Sequence, residues 1–297
     1  FGPPGTNPAD YVYFYREWDR PEEDDAAAKA ETRAAYDKVG ESAHQQGSLK
    51  KARAIMNSLG YTQEQFDVAG PDAYNFQGVG NPHLHANVRS GEAVLDLGSG
   101  LGVDTFIAYD RAGNGPRGKD GRVIGIDLSE KEVEHATRRA EARGLDVRFA
   151  VADMEDLPLP DDMFDVVISN GAFCLAPNKK KAFAEILRVL KPGGRMSVCT
   201  STVRSEGLEA GVDWPLCMRM FVKQEDILPM CKELGFRDVE VDDSDSLMTF
   251  ELPEEAREET NPERSKIHVG SEAFRHLENY DMNKICARVC VVGKKPS

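Results

Sequence analysis

The sequence predicts an α/β fold: a doubly wound, mostly parallel sheet of seven strands with an N-terminal helical extension. Three observations predict it. Short apolar runs alternate with helical segments over most of the chain, the pattern of strands joined by crossover helices. The runs are nearly free of polar residues, as strands covered on both faces should be. The first run, Ala93–Gly98, leads into Gly98, Gly100 and Gly102, crowded into one short turn, with an apolar helical segment from Phe106 onward. A strand, a glycine turn and a helix let backbone approach a nucleotide-like ligand closely, because glycine carries no Cβ.

Taken in order, residues 1–25 are rich in proline, then aromatic (Tyr11, Tyr13, Phe14, Tyr15, Trp18), then acidic, and read as an extended arm. Ala26–Gly40 is an alanine-rich helix with Gly40 as its C-cap, and Leu49–Leu59 a second helix closed by Gly60. Thr62 is placed to cap a short helix, and Gly78-Val79-Gly80 reads as a loop. Strand one is followed by a helix and a solvated loop over Tyr109–Gly121. Arg122–Leu128 is strand two, and Ser129 caps a helix running to Arg143. Val147–Asp153 and Phe164–Asn170 are strands three and four. Lys179–Leu190 is a helix stopped by the turn Lys191-Pro192-Gly193-Gly194, and Arg195–Thr202 is strand five. A helix over Val222–Leu234 ends at Gly235, and Val239–Asp243 and Ala287–Gly293 complete the seven strands.

Composition narrows the function classes. The 297 residues are 40% apolar and 30% charged, values of a globular protein. No apolar run approaches the ~18 residues of a membrane helix, and no secretory signal is visible. The net charge is −14, and the longest basic run is Lys179-Lys180-Lys181, which disfavours nucleic acid as a partner. The six cysteines form no CxxC pair, so reduced thiols and a cytoplasmic location are expected, with no metal.

In such folds ligands lie at the carboxyl ends of the strands. Those ends carry Asp96–Gly100, Asp127, Asp153-Met154 and Asn170. A carboxylate at Asp96 holds a cation, such as the ammonium of a methionine moiety, and would repel the pyrophosphate that the GxGxxG fingerprint cradles; the spacing here is GxGxG. Asp127 follows Gly102 by 25 residues, near the roughly 20 expected of a carboxylate accepting ribose hydroxyls. Asp153 suits an adenine amino group and Met154 the face of the ring. No Ser-His-Asp set is arguable among six scattered histidines, and His83 and His85 read as loop-orienting.

The motifs AVLDLGSGLG, GIDLS, ADMEDLP, FDVVISN and LRVLKPGGRMSV resemble those of class I S-adenosylmethionine-dependent methyltransferases over residues 91–202. The resemblance implies a Rossmann-like methyltransferase fold over residues 83–297, with residues 1–82 as an arm and helical cap, and S-adenosylmethionine as cofactor. It puts Asp96, Gly98, Ser99 and Gly100 on the methionine part, Asp127 and Leu128 on the ribose and adenine edge, and Asp153 and Met154 on the adenine. Asn170 would lie beside the activated methyl.

A narrower resemblance extends to LGYTQEQFDVAGPDAYNFQGVGNP, ISNGAFCLAPNKKKAFAEILRVLKPGG and DWPLCMRMF, which are similar to bacterial-type arsenite methyltransferases. That family binds trivalent arsenic through cysteine thiolates, suited to a soft ion. Val79 and Gly171 stand where two of its cysteines are expected. Cys217 falls at the position of a third, and Cys174 is the nearby replacement. The resemblance therefore implies a small-molecule acceptor, with Asn170, Cys174 and Cys217 on the acceptor side. The alternative is a different small nucleophile in a pocket lined by Trp214, Met218 and Phe221.

Overall fold

A computed structural model describes residues 22–41, 49–113, 123–204, 216–248 and 280–297, with single positions 208, 212, 214 and 253 between them. The strands are β1 (Val94–Leu97), β2 (Val123–Asp127), β3 (Arg148–Val151), β4 (Phe164–Asn170), β5 (Leu190–Val203), β6 (Arg237–Asp242) and β7 (Cys286–Lys294). They form one sheet in the order β3-β2-β1-β4-β5-β7-β6. The first five pair in parallel, while β7 runs antiparallel between β5 and β6. The chain leaves β1 for β2 and β3 on one side, then returns to β4 on the other. This reversal opens a crevice above the carboxyl ends of β1 and β4.

The helices are α1 (Glu22–Glu41), α2 (Leu49–Ser58), α3 (Gln63–Ala69), α4 (His83–Ala86), α5 (Val103–Arg111), α6 (Glu130–Ala142), α7 (Lys179–Val189), α8 (Leu216–Arg219), α9 (Gln224–Leu234) and α10 (Met282–Ile285). Alternate residues of β1 feed opposite faces of the sheet, as the period of a strand requires. Leu95 and Leu97 join Phe183 and Ile186 of α7, Met230 of α9 and Phe236. Val94 joins Phe106 and Tyr109 of α5 and Ala140 of α6 on the other side. Burial on both faces explains why the central strands β1 and β4 read as uninterrupted apolar runs, whereas the edge strands β3 and β6 leave much of their length exposed.

Several sequence expectations shift. Residues 22–25 belong to α1 rather than to an extended arm, and Asp25 is buried; the rest of the expected arm lies outside the described residues. Gly40 is not the C-cap of α1, which runs on to Glu41. A Cβ on Gly40 would meet the Lys131 carbonyl carbon at 2.5 Å, so its role is to let α1 lie against the start of α6. The loop expected from Tyr109 begins later, because α5 continues to Arg111 with Tyr109 buried and its hydroxyl accepting from the Asp146 amide. The Lys191–Gly194 turn is drawn into β5. Gly193 donates to the Lys295 carbonyl and Lys295 back to Gly194, stitching the turn to the end of β7. Thr62 caps α3 as expected, in a reciprocal box with Gln65.

Candidate active site

The glycine turn after β1 is held by backbone: the amides of Gly98 and Ser99 both donate to the Ile126 carbonyl at 2.8 Å. Gly98 has φ +71°, and a Cβ on it would fall 2.0 Å from the Ala172 Cβ, so only glycine lets this turn and the loop after β4 close on each other. Asp127 fixes the turn from β2. Its Oδ2 accepts from Gly100 N at 2.9 Å and its Oδ1 from Ser129 N at 2.8 Å. Ser129 in turn caps α6.

These elements wall a cleft of about 1080 Å³, part of it open solvent. Asp96, Gly98, Ser99, Gly100, Asp127, Leu128, Asp153, Met154 and Asn170 all line it. Asp96 is buried and accepts from the Thr105 hydroxyl at 2.6 Å. Burial, and then the neighbouring Asp104, push its carboxyl up to about 8. Burial likewise raises Asp127 against the pull of the amides it accepts from. Two buried hydroxyls on the lining, Ser99 Oγ and Thr32 Oγ1, have no hydrogen-bond partner among the described residues. Buried polar atoms are normally paired, so the lining suits a ligand with polar edges such as an amino-acid nucleoside.

The expected helical cap carries cleft residues that the sequence reading did not name. Lys29, Thr32, Arg33 and Tyr36 of α1 line the cleft, and their spacing of i, i+3, i+4 and i+7 marks one face of a helix. Lys29 pairs with Asp153 at 2.7 Å and with Glu155 at 2.6 Å, and Asp37 accepts from the Ser129 hydroxyl. Glu132 of α6 also lines the cleft; burial holds its carboxyl well above the usual range.

Asn170 lines the cleft, yet its amide is committed. Its Oδ1 accepts from the amides of Val79 and Gly80 at 2.9 and 3.1 Å. Its Nδ2 lies within 3.0 Å of the Gly80 carbonyl, the Tyr61 hydroxyl and Asp104 Oδ2. Tyr61 and His83 complete this buried network on Asp104. Asn170 therefore clamps the Gly78–Gly80 loop over the end of β4, and His83 orients the same region. His85 pairs with Asp242.

Of the residues expected on the acceptor side, Cys174 and Cys217 lie behind the lining. Cys174 is buried in a short 3-10 turn, Phe173–Leu175, its thiol donating to the Gly171 carbonyl, while Gly171, Ala172, Leu175 and Ala176 of the same segment face the cleft. Burial raises the Cys174 thiol, against the opposing charge of Lys179. Burial and Cys174 push the Cys217 thiol up to about 12. Tyr36 feels both cysteines. Trp214 and Met218 are buried in a separate apolar cluster with Val203 and Cys286, against which Cys217 and Phe221 pack. They are core there, and none of them lines the cleft. Gly171 has φ +78°, and a Cβ on it would stand 3.0 Å from the Gln77 carbonyl oxygen. Among the described residues, no group of three or more His, Cys, Asp or Glu side chains is arranged to hold a metal ion.

Comparison with known proteins bears on this site. Residues 88–235 match a family described as a methyltransferase domain. Over 198 residues the chain is 33% identical to an arsenite methyltransferase of Halobacterium salinarum, covering 65% of this chain and 49% of that protein. Over 110 residues it is 38% identical to a demethylmenaquinone methyltransferase of Thermus thermophilus, covering 37% and 47%. The chain thus spans about half the length of these curated relatives. Among solved structures, the cyclase SpnF superposes with a TM-score of 0.54 at 27% identity, covering 72% of this chain and 78% of that one.

Proposed function

Because the chain belongs to the class I S-adenosylmethionine-dependent methyltransferases, we propose that it transfers a methyl group to a small, soft acceptor, with trivalent arsenic carried on a small thiol as the first candidate. The observation that carries this reading is the convergence of the ends of β1, β2, β3 and β4 on one cleft. Nine residues of suitable chemistry line that cleft, in the order the sequence expects. Bound there, S-adenosylmethionine supplies a methyl group on a positively charged sulfur, which needs no acid to leave.

The chain's own residues bind and orient. Asp96 takes the ligand's ammonium, and the turn Gly98–Gly100 gives its backbone to the carboxylate side. Asp127 keeps lone pairs for the ribose hydroxyls while anchoring Gly100. Asp153, beside Lys29, would take the adenine amino group, and Met154 would offer the ring an apolar face. α1 covers the cleft and excludes water. Asn170 acts by positioning: it holds the Gly78–Gly80 loop, which shapes the acceptor's approach. No general base is required, because a soft lone pair attacks the methyl directly and alignment lowers most of the barrier.

On the acceptor side Cys174 and Cys217 supply thiols. Each can form a sulfur–arsenic bond as an arsenic–oxygen bond breaks, its proton leaving in water, and a small thiol such as glutathione provides the third sulfur. The identity to a curated arsenite methyltransferase supports this. A second reading, methylation of a carbon, thioether or hydroxyl, is favoured by Gly171. Its left-handed backbone and the nearby Gln77 carbonyl disfavour a cysteine at that position. Turnover of S-adenosylmethionine with arsenite, with and without glutathione, and with thioether and quinol acceptors tests the pair. Arsenic turnover that needs glutathione and is lost in Cys174→Ser and Cys217→Ser supports the first. Turnover of another acceptor, indifferent to both replacements, supports the second.

A further inference from the structure

Lys179 is the first residue of α7, and its side chain is fully buried. Its ammonium donates to the Ala176 carbonyl and, at 2.6 Å, to the Met220 carbonyl. Ala176 ends the short turn that carries Cys174, and Met220 follows the helix α8 that carries Cys217, its own amide donating to the Cys217 carbonyl. One cation is thus bonded to both cysteine-bearing segments, which pack on each other. A lysine here is costly to bury. An apolar residue would pack the site without desolvating a charge, so the ammonium calls for a role beyond filling space.

We propose that Lys179 is a positioning residue for a paired thiol site, tying the Cys174 and Cys217 segments together and offsetting the negative charge that develops when a thiol there attacks a soft electrophile. The proposal rests on the soft-acceptor reading above. Both thiols are protonated in the resting protein, since burial raises each of them. Attack needs a thiolate. A fixed positive charge near Cys174 favours that form while the carbonyl bonds keep the two sulfurs on facing segments. Tyr36 of α1 acts on both thiols, Cys286 of β7 lies in the cluster against which Cys217 packs, and Arg219 is a cation acting on Cys217.

The test uses phenylarsine oxide on the full chain. Two thiols and the oxide form two sulfur–arsenic bonds and release one water, so the product is read by mass and by peptide mapping. Cys199 and Cys290 form a second close pair, 3.3 Å apart, so all variants carry Cys199→Ser. The parent is expected to bridge Cys174 to Cys217. Lys179→Gln, which removes the charge but keeps a donor, should retain the bridge yet form it about tenfold more slowly at pH 7. Its pH–rate profile should be displaced upward by about one unit, the shift that a tenfold loss of thiolate implies. Lys179→Met should lose bridging yield as well. S-adenosylmethionine affinity should stay within about threefold in each, which a general loss of structure would not allow. A normal bridge with an unchanged rate and pH profile in Lys179→Gln would overturn the role of Lys179 alone. Absence of any Cys174–Cys217 bridge in a parent that binds S-adenosylmethionine would overturn both this proposal and the soft-acceptor reading.

Discussion

Asp96 is the residue whose charge differs most between an empty and a filled cleft. With its carboxyl at about 8 it carries a proton at neutral pH, and an ammonium seated against it would expel that proton. Cofactor affinity is therefore expected to rise with pH up to about 8, where the ligand's own α-ammonium begins to titrate. Calorimetry at pH 6.5 in buffers of different ionisation enthalpy should read close to one proton released; none released would leave Asp96 out of the ammonium contact. The stability sign runs the other way. The folded chain keeps a proton that the unfolded chain loses above about pH 4, so this group's contribution to stability is present below that pH, falls as pH rises to about 8, and is level beyond. Asp127→Ala removes the acceptor for Gly100 and Ser129. At ~1.5–3 kcal/mol for each charge-assisted contact, S-adenosylmethionine affinity should drop about tenfold to a few hundredfold, with a lower melting temperature as well. Unchanged affinity with only a lower melting temperature would make Asp127 a pure anchor. Asp96, Asp127 and Asp153 were legible because they stand at strand ends, where chain order alone puts them beside one another. The commitment of Asn170 was not legible, because its partners Tyr61, Gly80 and Asp104 come from three distant segments.

The element that sequence reading undervalued is α1. A search for apolar periodicity finds little in this alanine-rich segment, since the stripe that matters is the polar one at Lys29, Thr32, Arg33 and Tyr36. The strands are legible with ends displaced by a few residues, because burial on both faces of the inner strands writes itself into composition while ends are set by cross-strand pairing. The stop of α7 illustrates this: Pro192 and Gly193 end the helix, but pairing with Lys295 decides that the turn joins β5. If α1 is the roof, its ion pairs with Asp153 and Glu155 govern exchange of the ligand. Lys29→Met is expected to raise the S-adenosylmethionine dissociation rate several-fold, as the partly exposed pair with Asp153 contributes ~0.2–1 kcal/mol, with little change in melting temperature. Stopped-flow release of S-adenosylmethionine checks this, and an unchanged rate would free α1 from any gating role.

Across the whole molecule, a ligand that binds the folded chain stabilises it by about 2.7 kcal/mol at one hundred times its dissociation constant. S-adenosylmethionine should therefore raise the melting temperature by several degrees, and a nicotinamide dinucleotide should not above about pH 8, where Asp96 is ionised and faces the place a pyrophosphate would take. A rise with the dinucleotide alone would sink the cofactor assignment. The sheet order carries a different consequence. β7 follows β6 in the chain, yet it lies between β5 and β6 and supplies the pairing for both. On a translating ribosome, β5 and β6 emerge with no strand to join them, and the β5 edge stays open until residues 286–294 clear the exit tunnel. Long-range pairing of this kind is slow and leaves an adhesive edge exposed in the meantime. Nascent chains stalled before Cys286 should thus be protease-sensitive and bound by chaperones, and those stalled well after Lys294 should resist digestion. The last strand synthesised among these seven is the one that locks the sheet.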